Sequence, residues 1–226
     1  MPLIRRQEVL GLMKELGLVP VFYHPDLSVA KRVVEACLDG GARVVEFTNR
    51  GQRAWRVFEG LMEHFTKTRP ELRLGAGSII DAHTGAVYLA SGAAFIVSPV
   101  LDEETGYLCN THKVAWCPGC ATPTEIHRAH RLGADLIKIF PADSVGGPDF
   151  VRSLLAPCPQ AEIMPTGGVD LSEESLRQWF QAGVSCVGLG SKLIAANLVE
   201  AGRFEELRTR VAETLNRLKK IRENLK

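Results

Sequence analysis

The sequence predicts an α/β protein, a single (β/α)₈ TIM barrel. Short apolar runs of strand length alternate with amphipathic stretches of helical length, and this alternation occurs eight times. No linker or low-complexity segment divides the chain. Repeated strand and helix units favour a parallel sheet, and eight such units can close it into a barrel. The alternative is an open, doubly wound sheet. We expect one domain over residues 1–226.

Each unit begins with a short apolar strand. The predicted strands cover residues 19–23, 43–48, 73–76, 94–98, 114–117, 136–140, 162–165 and 186–189. The predicted helices cover residues 28–39, 53–66, 82–90, 103–111, 124–132, 148–155 and 173–181, with a last helical region from 192 onward. An extra N-terminal helix at 4–16 is expected to cover the N-terminal mouth of the barrel. A final helix is predicted to dock outside through Phe204, Leu207, Val211, Leu215, Leu218 and Leu225.

Capping residues support these boundaries. The run Thr122-Pro123-Thr124-Glu125 has the pattern of a capping box with proline in the first helical turn. Glycine readily adopts the left-handed conformation of a helix C-cap, and glycines stand where four helices should end. These glycines are Gly40-Gly41, Gly92, Gly133 and Gly183.

Composition excludes several classes of partner. The chain is 46% hydrophobic and 23% charged with a net charge of +1, so no basic excess indicates nucleic acid or an anionic membrane. No run reaches the roughly 18 apolar residues of a membrane-spanning helix. We therefore expect a cytoplasmic protein with no nucleic-acid partner and no membrane partner.

The six cysteines are scattered, which predicts reduced thiols in the core. Cys117 and Cys120 are the exception, since their spacing suits a redox pair or half of a zinc site. A structural zinc site would need two further ligands, and His112 and His127 have no recognised spacing. We expect no metal at this motif.

One lysine interrupts the apolar sixth strand, residues 136–140. Side chains alternate along a strand, so Leu136, Lys138 and Phe140 share one face. An unpaired ammonium in apolar surroundings is costly or gives up its proton, which makes Lys138 a candidate nucleophile. The alternatives are a lysine that reaches water from a strand end, or one in a purely structural ion pair.

The second strand also carries a charged residue among apolar ones, Glu46. Strands two and six lie opposite each other in a ring of eight, so Glu46 and Lys138 should approach across the lumen. Buried ion pairs seldom stabilise a protein more than apolar replacements do, which favours a functional pair. Arg50 follows the strand and can bind a substrate carboxylate or phosphate.

Glycine-rich segments follow strands seven and eight, at residues 164–169 and 187–192. Many barrels bind phosphate there through backbone N–H groups. Tight-turn geometry explains either segment alone but not both at this location. Strand three ends in the bare backbone of residues 75–77 and the hydroxyl of Ser78, and strand four ends in Ser98-Pro99.

In their order along the chain, these motifs resemble the 2-keto-3-deoxy-6-phosphogluconate (KDPG) aldolase family, whose members also cleave 4-hydroxy-2-oxoglutarate. The motifs lie at residues 45–50, 75–78, 97–99, 118–125, 138–142, 165–168 and 190–191. The resemblance implies a class I aldolase, without metal or cofactor, that assembles as a homotrimer. It implies a small-molecule keto-acid substrate that is cleaved to pyruvate and an aldehyde.

The resemblance also implies roles for individual residues. Lys138 would form the Schiff base, and Glu46 would be the general acid/base. Arg50 and Ser78 match positions that hold the pyruvate carboxylate, the second usually being threonine in the family. The residues that match the phosphate site are Thr166, Gly167, Gly168, Gly190 and Ser191, and those that match the pocket wall are Phe140 and Pro99.

Three departures from the family pattern surround the pocket. The first strand of many members ends with an arginine that contacts the phosphate. This strand ends with Tyr23-His24 instead, and we expect Tyr23 to be a pocket residue. The second-strand motif usually reads Arg-Thr but here reads Arg50-Gly51. The fourth commonly reads Ser-Pro-Gly but here ends in Pro99-Val100. The acid and the amine are unchanged, which implies the same chemistry on an altered substrate.

Two other functions stay open. A sugar-phosphate epimerase or isomerase on a phosphate-binding barrel could use a lysine and a carboxylate for proton transfer without carbon–carbon cleavage. A barrel that binds a keto acid without turnover would not need a buried amine, so the pair of Lys138 and Glu46 disfavours it.

Overall fold

The computed structural model describes residues 6–225. Its strands are β1 (Leu18–Phe22), β2 (Val44–Thr48), β3 (Arg73–Gly77), β4 (Phe95–Val97), β5 (Ala115–Cys117), β6 (Gly119–Cys120), β7 (Ile137–Ile139), β8 (Ile163–Pro165) and β9 (Val187–Leu189). Its helices are α1 (Arg6–Leu16), α2 (Leu27–Asp39), α3 (Ala54–Thr68), α4 (Ala82–Ala90), α5 (Glu103–His112), α6 (Pro123–Arg131), α7 (Gly147–Leu155), α8 (Glu173–Gln181), α9 (Ala196–Glu200) and α10 (Phe204–Glu223).

The strands form a closed wall of parallel pairs. One sheet has the order β5-β4-β3-β2-β1-β9 and the other has the order β6-β7-β8. β5 and β6 are two halves of one position in the wall, interrupted at Pro118, which has no N–H to donate to a ladder. A bridge between Thr166 and Gly188 joins the end of β8 to β9. The predicted (β/α)₈ barrel is confirmed.

Several predicted boundaries differ from the structure. The strand predicted at 136–140 is shorter, Ile137–Ile139, and the last helical region divides into α9 and α10. Gly202 separates these two helices with a φ of 67°. The prediction for Leu225 is wrong, because α10 ends at Glu223 and Leu225 is 44% exposed. Residues 4 and 5 of the predicted N-terminal helix lie outside the described residues.

The predicted capping box of α6 is confirmed. The Glu125 N–H donates to the Thr122 hydroxyl at 3.3 Å, and the Glu125 carboxylate accepts from the Thr122 N–H at 2.9 Å. Gly133 and Gly183, where two helices end, have φ values of 81° and 98°. The two glycines lie just beyond the ends of α6 and α8, ahead of strands β7 and β9.

The lumen of the barrel has its own apolar core, separate from the core between wall and helices. Helix α1 closes this lumen at the N-terminal mouth as predicted, by contributing Val9, Leu10 and Met13. The wall contributes Val19, Val44, Ala94, Phe95, Val97, Ala115, Cys117, Leu136, Met164 and Cys186. A charged group just above this layer is therefore next to side chains that cannot solvate it.

Ion pairs tie α1 to the surrounding wall. They join Arg6 to Asp135, Lys14 to Glu162, Glu15 to Arg43 and Glu8 to Arg73. Exposed pairs contribute little individually. Together they hold α1 at the bases of several strands, and so hold the lumen closed at that end.

Within residues 6–225 no helix is both long enough and apolar enough to cross a membrane.

Candidate active site

Lys138 lies at the centre of β7 with its side chain in the lumen. It is 5% exposed, and its Nζ lies 4.9 Å from the ring centroid of Phe140. Ile137 and Ile139 belong instead to the outer core, which lies between the wall and the helices. The predicted division of side chains between the two faces of this strand is confirmed, and the amine is nearly sealed from water.

Glu46 lies in β2 and is 1% exposed. Among the described residues, neither of its carboxylate oxygens has a hydrogen-bond partner. Burial raises the pKa of the Glu46 carboxyl, and the positive charges of Lys138 and Arg50 partly offset this rise. The structure thus brings the predicted acid and amine into one electrostatic environment. No described protein group donates to the carboxylate, which leaves both of its oxygens as unsatisfied buried acceptors.

Two glycines of β3 make space for the lumen side chains of neighbouring strands. A Cβ atom at Gly77 would lie 1.8 Å from Oε1 of Glu46, and one at Gly75 would lie 2.4 Å from the ring of Phe95. Sequence reasoning noted this bare backbone but missed what it accommodates. The available signal was the alternation itself, since glycine inside a strand often marks a close approach.

Arg50 lies just beyond β2 at the mouth of the barrel. The Asn49 N–H donates to the Gly77 carbonyl at 2.8 Å, and the Asn49 side-chain oxygen accepts from the Tyr88 hydroxyl at 2.9 Å. These bonds fix the segment that leads to Arg50. Ser78, at the end of β3, has a left-handed backbone with a φ of 58°.

Two of the departures from the family pattern are in contact. The ring of Tyr23 packs on Phe47 with 5.7 Å between centroids. A Cβ atom at Gly51 would lie 1.9 Å from the Tyr23 hydroxyl oxygen. The tyrosine therefore occupies space that a side chain at position 51 would need, so the two departures compensate for each other.

A cavity of about 600 Å³ opens at the C-terminal mouth. It brings together eight predicted site residues: Tyr23, Arg50, Phe140, Thr166, Gly167, Gly168, Gly190 and Ser191. Lys138, Glu46, Ser78 and Pro99 do not belong to its lining in the part of the chain described. Pro99 lines a neighbouring cavity of about 320 Å³ that shares Phe140. Lys192, which sequence reasoning did not single out, also lines the larger cavity.

The far side of the larger cavity offers unused hydrogen-bonding groups. The Thr166 hydroxyl is buried and has no partner within residues 6–225, and a Cβ atom at Gly188 would lie 2.3 Å from it. The N–H groups of Gly167, Gly168 and Ser191 likewise donate to no acceptor of the described protein. Backbone N–H groups need partners, so this surface is suited to an anion.

The two cysteines of the Cys117–Cys120 motif lie in different cores. Cys117 is in the lumen core and Cys120 is in the outer core. Burial raises the pKa of the Cys120 thiol to about 12 and raises that of Cys117 well above its ordinary value. Thiolates are the reactive form of cysteine, so neither side chain is suited to redox chemistry. Residues 6–225 contain no group of three or more His, Cys, Asp or Glu side chains that could hold a metal ion.

The fold and site define a (β/α)₈ barrel with a buried amine and acid below an anion-suited cavity, at the end of the barrel where such folds place chemistry. The model of the family described as KDPG and KHG aldolase matches residues 9–210, and the chain belongs to this family.

Individual relatives agree with this assignment. The chain is 30% identical over 207 residues to a 2-dehydro-3-deoxy-phosphogluconate aldolase of Pseudomonas aeruginosa, covering 91% of each chain. It is 30% identical over 190 residues to a KHG/KDPG aldolase of Escherichia coli K12, covering 84% of this chain and 86% of the relative. A crystal structure of the KDPG aldolase from Legionella pneumophila, with pyruvate captured at low pH as a covalent carbinolamine, has a TM-score of 0.83 at 25% identity and covers 93% and 98% of the two chains. The resemblance in the sequence is confirmed.

Proposed function

We propose that the protein cleaves a 2-keto-3-deoxy acid such as KDPG, or 4-hydroxy-2-oxoglutarate, to pyruvate and an aldehyde, glyceraldehyde 3-phosphate or glyoxylate, through a Schiff base on Lys138. The observation that carries this proposal is the pairing of a buried amine with a buried carboxylate that has no protein partner. A protein that only bound a keto acid would gain nothing from burying both groups. The pair suits covalent catalysis, in which the amine bonds to the substrate and the acid moves its protons.

The first half of the reaction builds an electron sink. The neutral amine of Lys138 attacks the C2 ketone and gives a carbinolamine, which loses its oxygen as water and becomes a protonated imine. Glu46 supplies the proton for that water. The raised pKa of Glu46 helps this step, because the carboxyl then keeps a proton closer to neutral pH.

The second half breaks the carbon–carbon bond. The Glu46 carboxylate, now ionised, takes the proton of the C4 hydroxyl. The electrons of the C3–C4 bond move into the imine to form an enamine, and C4 leaves as the aldehyde. Glu46 returns its proton to C3, and water hydrolyses the resulting imine to release pyruvate and the amine.

The mouth of the barrel binds the two ends of the substrate. Arg50 and the hydroxyl of Ser78 hold the pyruvate carboxylate; a guanidinium can bind both carboxylate oxygens at once. Phe140, Pro99 and Tyr23 form the walls. The anionic group at the other end of the substrate, far from the pyruvate carboxylate, binds at the distal site. This site is formed by the segments after β8 and β9, through Thr166, Gly167, Gly168, Gly190 and Ser191.

The protein acts as a cytoplasmic homotrimer in this proposal. Ile80, Val87 and Tyr107 are 60%, 44% and 52% exposed. Val87 lies on α4 and Tyr107 on α5, which pack against each other, and Ile80 lies two residues before α4. Such an apolar surface is typical of a site covered by another copy of the chain. All six cysteines are free thiols, which suits a reducing compartment.

Trapping with pyruvate tests the proposal directly. Incubation with pyruvate, reduction with borohydride and digestion should give a mass adduct on the peptide that contains Lys138. Lys138→Ala should abolish both adduct and turnover. Lys219→Ala removes an exposed lysine of α10 and should change neither.

Three results would contradict the proposal. The first is a wild-type protein without the Lys138 adduct, and the second is turnover that chelators abolish, which would indicate a metal aldolase. The third is proton exchange from the substrate without carbon–carbon cleavage, which would favour an epimerase. Relative rates on KDPG, its galactonate epimer and 4-hydroxy-2-oxoglutarate would then define the aldehyde.

A further inference from the structure

The end of β1 carries no permanent positive charge. Its last side chains at the cavity are Tyr23 and His24. The hydroxyl of Tyr23 lies against Gly51, on the β2 side of the mouth. If the distal end of the substrate is anionic, its main counter-charge must come from another strand.

Lys192 lies at the cavity on the other side of β1. The strand order places β1 between β2 and β9, so Arg50 follows one neighbour of β1 and Lys192 follows the other. Nζ of Lys192 lies 3.6 Å from Oδ2 of Asp170, two residues beyond the glycine pair 167–168. The ammonium therefore spans the segments that follow β8 and β9.

The ion pair between Lys192 and Asp170 leaves the lysine free to bind another anion. Both side chains are more than half exposed, at 67% and 51%, and such pairs are weak. Asp170 has a second partner as well, since its Oδ1 accepts the Ser172 N–H at 2.9 Å. Loss of the lysine would not leave this carboxylate without a hydrogen bond.

Backbone donors accompany the ammonium. Like those of Gly167, Gly168 and Ser191, the N–H group of Lys192 has no acceptor in the described protein. A phosphate monoester offers three acceptor oxygens and close to two negative charges at neutral pH. It can accept from several of these donors at once and still meet a cation, which a neutral hydroxyl end cannot do.

We propose that Lys192 is a specificity-determining residue of the distal site, the cation by which this chain distinguishes a phosphorylated 2-keto-3-deoxy acid from its dephosphorylated counterpart. This inference depends on the proposed aldolase function. Arg50 and Lys192 hold the two anionic ends of the substrate, and the reacting carbons lie between them above Lys138. Tyr23 stands between the two cations and forms the wall along which the chain of the substrate lies.

Lys192→Met tests the inference with a matched pair of substrates, KDPG and its dephosphorylated counterpart. The value of kcat/KM for KDPG should fall by roughly 10- to 100-fold, as expected for loss of a hydrogen bond between charged groups. Most of the change should be in KM. The dephosphorylated substrate should change by less than about twofold, because it makes no bond to the ammonium.

Two further variants separate charge from bulk. Lys192→Arg keeps the cation and should retain most of the preference for phosphate. Lys219→Met makes the same change of charge on exposed α10 and should leave both substrates unaffected. Inorganic phosphate should compete with KDPG in the wild type and compete more weakly in Lys192→Met.

The inference is overturned if Lys192→Met weakens both substrates equally, or if it leaves KDPG unchanged. Pyruvate trapping on Lys138, measured in the same variant, distinguishes this failure from failure of the aldolase function. If Lys192→Met forms the adduct normally and still prefers KDPG to the dephosphorylated substrate, only the role of Lys192 is refuted. Absence of the adduct in the wild type refutes the proposed function itself.

Discussion

Gly77→Ala should displace Glu46, the proposed general acid/base, without removing it. The backbone of Gly77 lies against the carboxylate of Glu46, and an added Cβ would come within 1.8 Å of Oε1. Ordinary contacts between non-bonded heavy atoms begin at about 3.5 Å. The carboxylate would therefore retreat by roughly 1.5 Å, or the two strands would separate.

The size of the effect follows from the role of the acid. A misplacement of about 1 Å costs roughly 100-fold in rate, and a positioned acid/base contributes about 10²- to 10⁴-fold. We therefore expect kcat for aldol cleavage to fall by about 10²- to 10⁴-fold. Formation of the imine on Lys138 also uses this acid, but trapping with borohydride accumulates product over a long incubation, so the covalent pyruvate adduct should still form, although more slowly.

Gly75→Ala provides a matched control on the same strand. Its Cβ would lie 2.4 Å from the ring of Phe95 instead of the carboxylate. Both variants should lower the melting temperature, but only Gly77→Ala should lose cleavage while keeping the borohydride-trapped adduct. Steady-state kinetics, adduct mass and thermal unfolding on the same preparations make the comparison.

Two outcomes would refute the reasoning. If Gly77→Ala retains near wild-type kcat, the position of the carboxylate is not critical or Glu46 is not the acid/base. If both variants lose activity in proportion to their loss of stability, the strand matters only for folding.

Three further predictions concern other parts of the molecule. The pKa of Glu46 is raised in the folded state, so ionisation of this carboxyl lowers the free energy of unfolding as the pH rises above the ordinary carboxyl pKa. Glu46→Gln should therefore raise the melting temperature at pH 8, by about 2–4 °C for each kcal/mol of unfolding free energy gained. The gain should vanish toward pH 4. Arg50→Gln should raise the pyruvate concentration needed for half-maximal trapping by roughly 10- to 100-fold, and an unchanged value would exclude the carboxylate role. Val87→Glu combined with Tyr107→Glu should convert trimers to monomers in sedimentation velocity, whereas a monomeric wild type would contradict the proposed assembly.

Much of the fold could be predicted because residues next to each helix or strand indicate where it begins and ends. The capping box at Thr122 and the glycines after helices depend on a few adjacent residues, and the structure confirms them. The placement of Lys138 and Glu46 in the lumen followed from strand periodicity and the count of eight units. The break at Pro118 was not predicted, since its neighbours continue the apolar pattern on both sides.

The contacts across strands could not be predicted from sequence. Two such contacts join Gly77 to Glu46 and Gly51 to Tyr23. Both depend on the stagger between neighbouring strands, which cannot be read from the sequence of a single chain. Lys192 ends the glycine-rich segment after strand eight, but sequence reasoning assigned no role to its side chain; the strand order and the cavity lining place it opposite Arg50. The roles of all the predicted site residues stay predictions, and Ser78 and Pro99 moreover do not line the larger cavity.

Helix α1 and its ion pairs close one end of the barrel, which determines the path that substrate and products can take. The lumen is closed beneath Lys138, so substrate, products and the water of hydrolysis all pass through the C-terminal mouth. In the proposed mechanism the pyruvate half is bonded to the amine of Lys138 during cleavage, and the aldehyde lies nearer the mouth. The aldehyde must therefore leave first, and in the synthetic direction pyruvate must enter before the aldehyde. The reaction is expected to follow an ordered kinetic scheme that the architecture of the barrel imposes.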